Sequence, residues 1–307
     1  MSLPSAPVLV PEAVTESPRG PRRRVGTWLH QRPRARLGVL LALPIAWLTI
    51  AYLGSLFILL LNAFWAQDSF TGKVEPFNWS LSAFEELASN PVYTVIAVRT
   101  VGMAILVTLT DALLALPIAY YMARVASPRT RGVLVVAVLV PLWAAYLVKV
   151  YSWRIILQGN GIVDWVLQPF GLEGPGLSEI ANSWLVLSYL WLPYMILPVF
   201  AGFERIPSSL IEASSDLGAK SLTTFRRIVL PLVFPALVAG SIFTFSLTLG
   251  DYITPDLVSD VKMIGNVIYD NSANVNLPLA AAYSLVPIAI MIGYLLVARR
   301  LGAFDSL

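Results

Sequence analysis

The chain has 307 residues, of which 57% are apolar and 13% charged, with a mean hydropathy of +0.73 and a formal net charge of +3. Those values exclude an ordinary soluble domain and describe a membrane protein. The sequence has no cysteine and one histidine, His30, which excludes disulfides, thiolate metal sites, a cysteine nucleophile and a Ser-His-Asp triad.

Residues 1–36 are rich in proline and serine and hold Arg19, Arg22, Arg23, Arg24, Arg32, Arg34 and Arg36. This composition predicts a disordered tail. Arginines just ahead of a membrane span answer to topology and anionic lipid headgroups, so membrane lipid rather than nucleic acid is the expected partner. Six apolar runs follow, at 37–65, 100–123, 132–157, 180–203, 228–250 and 277–298. Each is near the ~20 residues that cross a hydrocarbon core of ~30 Å. Backbone amides inside lipid must be satisfied internally, and the alternation of a barrel is absent, so the runs predict helices. The expected fold class is an all-α integral membrane protein with six transmembrane helices. The first run is too long for a cleaved signal peptide and is expected to stay as an anchor, 37–65.

An outer loop is expected over 66–99, where Ser82 and Glu85 have capping-box spacing and predict a short helix over 82–89 ahead of Pro91. The second run contains Asp111, and a carboxylate inside a span faces either a path for a cationic solute or a hydrogen-bonding neighbour helix. Near the end of the third run, Tyr151 and Trp153 are two apart and so lie on different faces. Such rings either hold an ammonium by cation–π attraction or belong to an interfacial belt. Lys149 and Arg154 are expected to snorkel outward, and Arg99 stands close to the outer boundary. Asp251 and Tyr252 close the fifth run, where the carboxylate either attracts an ammonium or sits in interfacial water. Pro117, Pro141, Pro193, Pro198 and Pro287 are read as tolerated kinks.

Sixteen of the 21 basic residues fall on one side of these runs: the seven of the tail, Arg124, Arg129, Arg131, Arg205, Lys220, Arg226, Arg227, Arg299 and Arg300. By the positive-inside rule both termini and the segment between the fourth and fifth runs are cytoplasmic. The opposite loops hold an acidic excess against Lys73 and Lys262.

That segment reads LIEASSDLGAKSLTTFRRIVLP, residues 210–231. Ser209 and Glu212 have capping-box spacing, and Gly218 stands where a helix of about two turns would end in the left-handed conformation. A second helix is expected from Ser221 through Ile228, with Pro231 and Pro235 bending the entry to the fifth run. Ala213, Ser214 and Ser215 are small, and Glu212, Asp216 and Lys220 are spaced four apart, as if along one side. A well-capped soluble connector would share these features.

The full spacing resembles the loop signature of permease subunits in binding-protein-dependent ABC importers: Glu-Ala-Ala, three residues, Gly, nine residues, Ile-x-Leu-Pro. Here it is Glu212-Ala213-Ser214, Gly218, then Ile228-Val229-Leu230-Pro231, with serine for the third small residue. Residues 141–167, 245–258 and 263–284 resemble the spermidine/putrescine type of permease. The resemblance implies a type I permease fold with a core over 100–303 and a cytoplasmic coupling loop over 204–227. In it Glu212, Ala213, Ser214, Asp216 and Gly218 would meet a separate ATPase. It further implies two ATPase subunits, a second homologous permease forming a heterodimer, an extracytoplasmic solute-binding protein, and the plasma (inner) membrane of a bacterium. The expected solute is a polyamine, with iron, thiamine, phosphonate and opine permeases as alternatives. On that reading Asp111, Tyr151, Trp153, Asp251 and Tyr252 are the candidate path residues.

No Gly-x4-Gly-Lys-Ser/Thr loop occurs, so ATP and Mg are expected on the partner subunits and no cofactor on this chain. An ion-coupled secondary transporter would need inverted repeats and several intramembrane acids, against Asp111 alone. An embedded enzyme would need a cluster of acid, base, nucleophile or metal ligands, which the sequence lacks; the chain is expected to be a transport subunit.

Overall fold

The computed structural model describes residues 33–68, 71–158, 161–162, 165, 169, 178–273 and 276–300. The expectation of disorder for 1–36 falls, except for residues 33–36, outside the described residues. The chain divides into two units, 1–58 and 59–307. The first holds α1 (Pro33–Trp47), a π-helical turn (Leu48–Leu53) and the start of α2 (Gly54–Asn62), whose residues from Leu59 belong to the second. Leu40–Asn62, 23 residues without a charge, is long and apolar enough to cross a membrane.

After α2 comes an antiparallel hairpin of β1 (Trp65–Gln67) and β2 (Val74–Trp79). The predicted short helix is α3 (Ser82–Ser89), but its start is not the expected capping box. Ser82 already lies inside the helix, and its amide donates to the Ser80 hydroxyl at 3.1 Å. Asn90 then starts α4 (Pro91–Tyr120): its side-chain oxygen accepts from the Val92 amide at 3.0 Å, with Pro91 in the first turn. Because this cap precedes the uncharged run, the second membrane helix begins nine residues earlier than the 100–123 expected, and Arg99 lies within it on an exposed face. A π-helical turn, Tyr121–Val125, completes it.

The third run departs most from expectation. Instead of one helix over 132–157, α5 (Pro128–Trp143) and α6 (Tyr146–Leu157) meet at a 92° bend. Ala144 and Ala145 are extended there, with ψ of 138° and 131°. An Ala-Ala pair gives no local signal for a break, since alanine is the best helix former. Tertiary contacts at Tyr146, the first residue of α6, override that propensity. Its hydroxyl bonds Asp251 and Thr254, and its ring stacks on Trp191 at 6.0 Å. The described residues thus hold five helices of spanning length, and six spans if the bent pair is one.

The remaining elements are α7 (Glu179–Glu204), α8 (Ser208–Asp216), α9 (Ser221–Thr224), α10 (Leu230–Gly250), α11 (Ile253–Val258), α12 (Ile264–Ala273) and α13 (Leu277–Arg300). The core lies where α4, α7 and α10 pack together. At one end it contains Ala119, Met122, Val199, Phe203 and Val233; toward the other, Met103, Val107, Val186, Leu187 and Leu190. Lipid is as apolar as leucine, so close packing rather than transfer from water holds such helices, and small residues set the distance. A Cβ on Gly240 would meet Met195 Sδ at 2.7 Å, and one on Gly202 would meet the Ala236 Cβ at 2.6 Å. These two glycines let α7 and α10 approach closely.

Candidate functional site

The polar loop between α7 and α10 is built as a short helix, a turn and a second helix. The helix α8 starts one residue before Ser209, so the expected Ser209–Glu212 capping box does not form: both residues are inside the helix, and no side chain caps its start. Pro207, with φ −63° and ψ 136°, is the extended residue ahead of the helix, and proline's fixed φ sets that boundary. The C-terminal end follows expectation. Gly218 has φ +75°, the Gly218 amide donates to Ser215 O at 2.9 Å, and the Ala219 amide donates to Ser214 O at 3.1 Å. This pair of reversed bonds is a Schellman motif, which needs the left-handed residue glycine supplies cheaply.

Lys220 lies beyond the turn, so it does not continue the row of Glu212 and Asp216 on α8; its carbonyl instead accepts from the Thr223 and Thr224 amides at the start of α9. From Ser221 the chain is helical to Gly250 without a break, through a π-helical turn at Phe225–Val229. The widened turn comes just before Pro231, whose ring crowds the carbonyl four residues earlier. Along α8, Glu212, Ala213, Ser215 and Asp216 are exposed, and Leu217 at the tip is 88% exposed. Ser214 is the one buried residue of the helix, its hydroxyl 2.7 Å from that of Thr224 across the turn, and half-buried Ile211 packs on the core cluster of Phe203 and Val229. Leu217 escaped the sequence reading, although a leucine beside the turn glycine of a polar loop is its signal.

Two arginines read from sequence as topology signals fasten this loop. The Arg124 guanidinium donates to Phe203 O at 2.6 Å and to Ile206 O, tying the end of α4 to the hinge between α7 and α8. Arg131 donates to Met122 O at 3.1 Å and Ala123 O at 2.9 Å, and pairs with Glu204 at 3.2 Å. Charged donors to helix-terminal carbonyls are among the stronger hydrogen bonds.

Deeper in the bundle, Asp111 on α4 is fully buried, and neither carboxylate oxygen has a hydrogen-bond partner among the described residues. Ser188 Oγ and Trp191 Nε1 on α7 are also without partners. Aromatic rings link successive levels: Tyr146 stacks on Trp191 at 6.0 Å, Trp191 meets Tyr194 at 6.0 Å, and Tyr194 lies 6.5 Å from Phe243. Of the aromatic pair singled out on α6, Trp153 packs against Tyr189 at 5.3 Å while Tyr151 is 48% exposed.

Asp251, at the end of α10, is buried and richly bonded. Its carboxylate accepts from the Tyr146 hydroxyl at 2.6 Å, the Ile253 and Thr254 amides at 3.0 and 3.1 Å, and the Thr254 hydroxyl at 2.8 Å. Tyr252 stacks on Tyr269 at 4.6 Å, and the pair lines a recess of about 260 Å³ with Leu249, Ile264 and Pro287. Beyond the spans, Lys262 bridges Asp270 at 3.0 Å and Asp256 at 3.4 Å, and the Asp270 hydrogen bond leads in raising its pKa above the usual lysine value.

A family model for the binding-protein-dependent transport system inner membrane component matches residues 105–304. The chain belongs to this family. The permease is 43% identical over 311 residues to the inner membrane ABC transporter permease protein YdcU of Escherichia coli K12, covering 96% of this chain and 99% of that one. It is 30% identical over 213 residues to the spermidine/putrescine transport system permease protein PotB of the same organism, covering 67% and 77%. Among solved structures, a bacterial ABC transporter that imports the acidic polysaccharide alginate superposes with a TM-score of 0.69 at 17% identity, over 90% of this permease and 99% of that chain. At that identity the likeness shows the fold, an all-α type I permease.

Proposed function

We propose that this permease, a subunit of an ABC importer, forms with a second permease the inner-membrane path for a polyamine delivered by an extracytoplasmic binding protein. The observation that carries the cationic solute is Asp111, whose two carboxylate oxygens are buried in a span without a partner among the described residues. An acid kept there at such expense in desolvation suits a mobile counter-ion, and the aromatic rings of Tyr146, Trp191 and Tyr194 suit passing ammonium groups. The PotB relative, a spermidine/putrescine permease, supports the same class.

On this reading the loop over 204–227 is cytoplasmic, as are both termini, and α8 is the coupling helix. Its exposed Leu217, with Glu212 and Asp216 on the helix and small residues between them, fits a cleft on an ATPase subunit. ATP and Mg sit on two such ATPases, and no cofactor is held by this chain. Their closure displaces α8, and the continuous helix from Ser221 carries the motion into α10, alternating access to the cavity. Drive of this kind requires that the ATPases bind the two permease states with different free energies.

The test is reconstitution with the second permease, ATPases and binding protein in liposomes. Putrescine- or spermidine-loaded binding protein should stimulate ATP turnover and solute entry. Stimulation by an anionic oligosaccharide or by iron, with none by polyamines, would overturn the solute class and leave the ABC machinery standing.

A further inference from the structure

The Gly218 turn is a weak point in a lever. A push on α8 reaches α10 only if the angle across the turn is held, and the Schellman bonds close the end of α8 without touching α9. Beside the apolar packing of half-buried Ile211 and Phe225 on one core cluster, what crosses the turn is a hydrogen-bonded pair of side chains. Ser214 is 5% exposed and Thr224 6% exposed, and their hydroxyl oxygens are 2.7 Å apart, ten residues apart in sequence. The remaining bonding capacity of Thr224 goes to its own helix, the Lys220 carbonyl at 3.4 Å. Ser214 is also the one buried residue of the helix, while its neighbours Ala213 and Ser215 stay exposed.

The far side of α8 is fixed differently. Arg124 holds the Ile206 and Phe203 carbonyls, and Ile206 is buried in the same cluster as Val229 and Val233, at the start of α10. The hinge before α8 is therefore clamped by charge-assisted bonds and packing, and the turn after it by the packing of Ile211 and Phe225 and one hydroxyl pair.

We propose that Ser214 and Thr224 are positioning residues that latch the coupling helix to the helix entering α10, so that displacement by the ATPase moves the span instead of bending the Gly218 turn. The proposal rests on the coupling role assigned above to α8. A buried hydroxyl pair is modest in strength, which suits a part that limits slack without preventing motion. Removing either hydroxyl leaves the ATPase-facing residues in place, so docking survives while transmission slips.

The experiment uses the assembled transporter in liposomes and reads ATP hydrolysed per solute imported, together with the yield of a cross-link from residue 212 to the ATPase. In Ser214→Ala and Thr224→Val the ATP cost per solute should rise by about two- to tenfold, with the cross-link unchanged. Because the native chain has no cysteine, the Ser214→Cys/Thr224→Cys pair can be closed or opened at will. Oxidised, it should return the ratio to the native value; reduced, it should raise it again. An unchanged ratio in Ser214→Ala with a normal cross-link overturns the latch and leaves the coupling role intact. Loss of the cross-link in the native protein overturns the coupling role itself. If Thr224→Val fails to assemble, the oxidised and reduced cysteine pair decides, since the same molecule is read in both states: equal ratios refute the latch.

Discussion

Asp111 and Asp251 are both buried acids in a membrane bundle, and they live in opposite circumstances. Asp251 accepts from the Tyr146 and Thr254 hydroxyls and from the amides of Ile253 and Thr254. It holds the bend between α5 and α6 against α10 and α11, and its work is architectural. Asp111 accepts from no described residue and holds nothing in place. A buried polar group that is fully bonded stabilises a unique arrangement; one left without partners costs stability and calls for a functional reason.

The comparison breaks most plainly at Asp251. Asp251→Ala strips four bonds at once and leaves the Ile253 and Thr254 amides unpaired, so the permease should lose about 3 kcal/mol or more of stability. Thermal unfolding of the detergent-solubilised protein checks this, with a large fall in midpoint expected before any transport assay is reached. Asp111→Asn should do the reverse. Removing an unpartnered buried carboxyl leaves the unfolding midpoint unchanged or higher, while uptake of labelled putrescine falls about tenfold or more through loss of the counter-ion. A midpoint that drops as far as in Asp251→Ala would show that Asp111 has a structural partner after all.

The smallest effect is expected at Lys262, whose two ion pairs are half exposed. Lys262→Ala should cost under about 1 kcal/mol, and less at high salt. Because the folded pKa lies above the ordinary lysine value of 10.5, the contribution is complete at neutral pH and disappears only as pH rises through the raised value. A native-minus-variant difference in stability that fades between pH 7 and 9 would contradict the pairing.

From sequence both acids stand as path candidates, because what separates them is a partner 105 positions away, Tyr146 with Asp251. Spans were legible because uncharged runs of membrane length have one solution in lipid. Gly218 was legible because a left-handed residue at a helix end is a local matter. The bend at Ala144–Ala145 was not, since its cause is a distant carboxylate and a stacked ring rather than the alanines. The cap of α8 lies two residues ahead of the expected Ser209 because Pro207 sets the boundary. Arg124 and Arg131 were counted for their charge, and only the fold shows that their donors close helix-end carbonyls.

The central claim is that the tip of α8 docks on a nucleotide-hydrolysing partner. Leu217→Cys places a single cysteine at that tip in a chain that has none. In membranes holding the assembled transporter, a short thiol cross-linker should join this residue to the ATPase subunit, and ATP should alter the yield. Labelling of Leu217→Cys by an impermeant reagent from outside the cell, or an assembled complex in which no such adduct forms, would contradict the account.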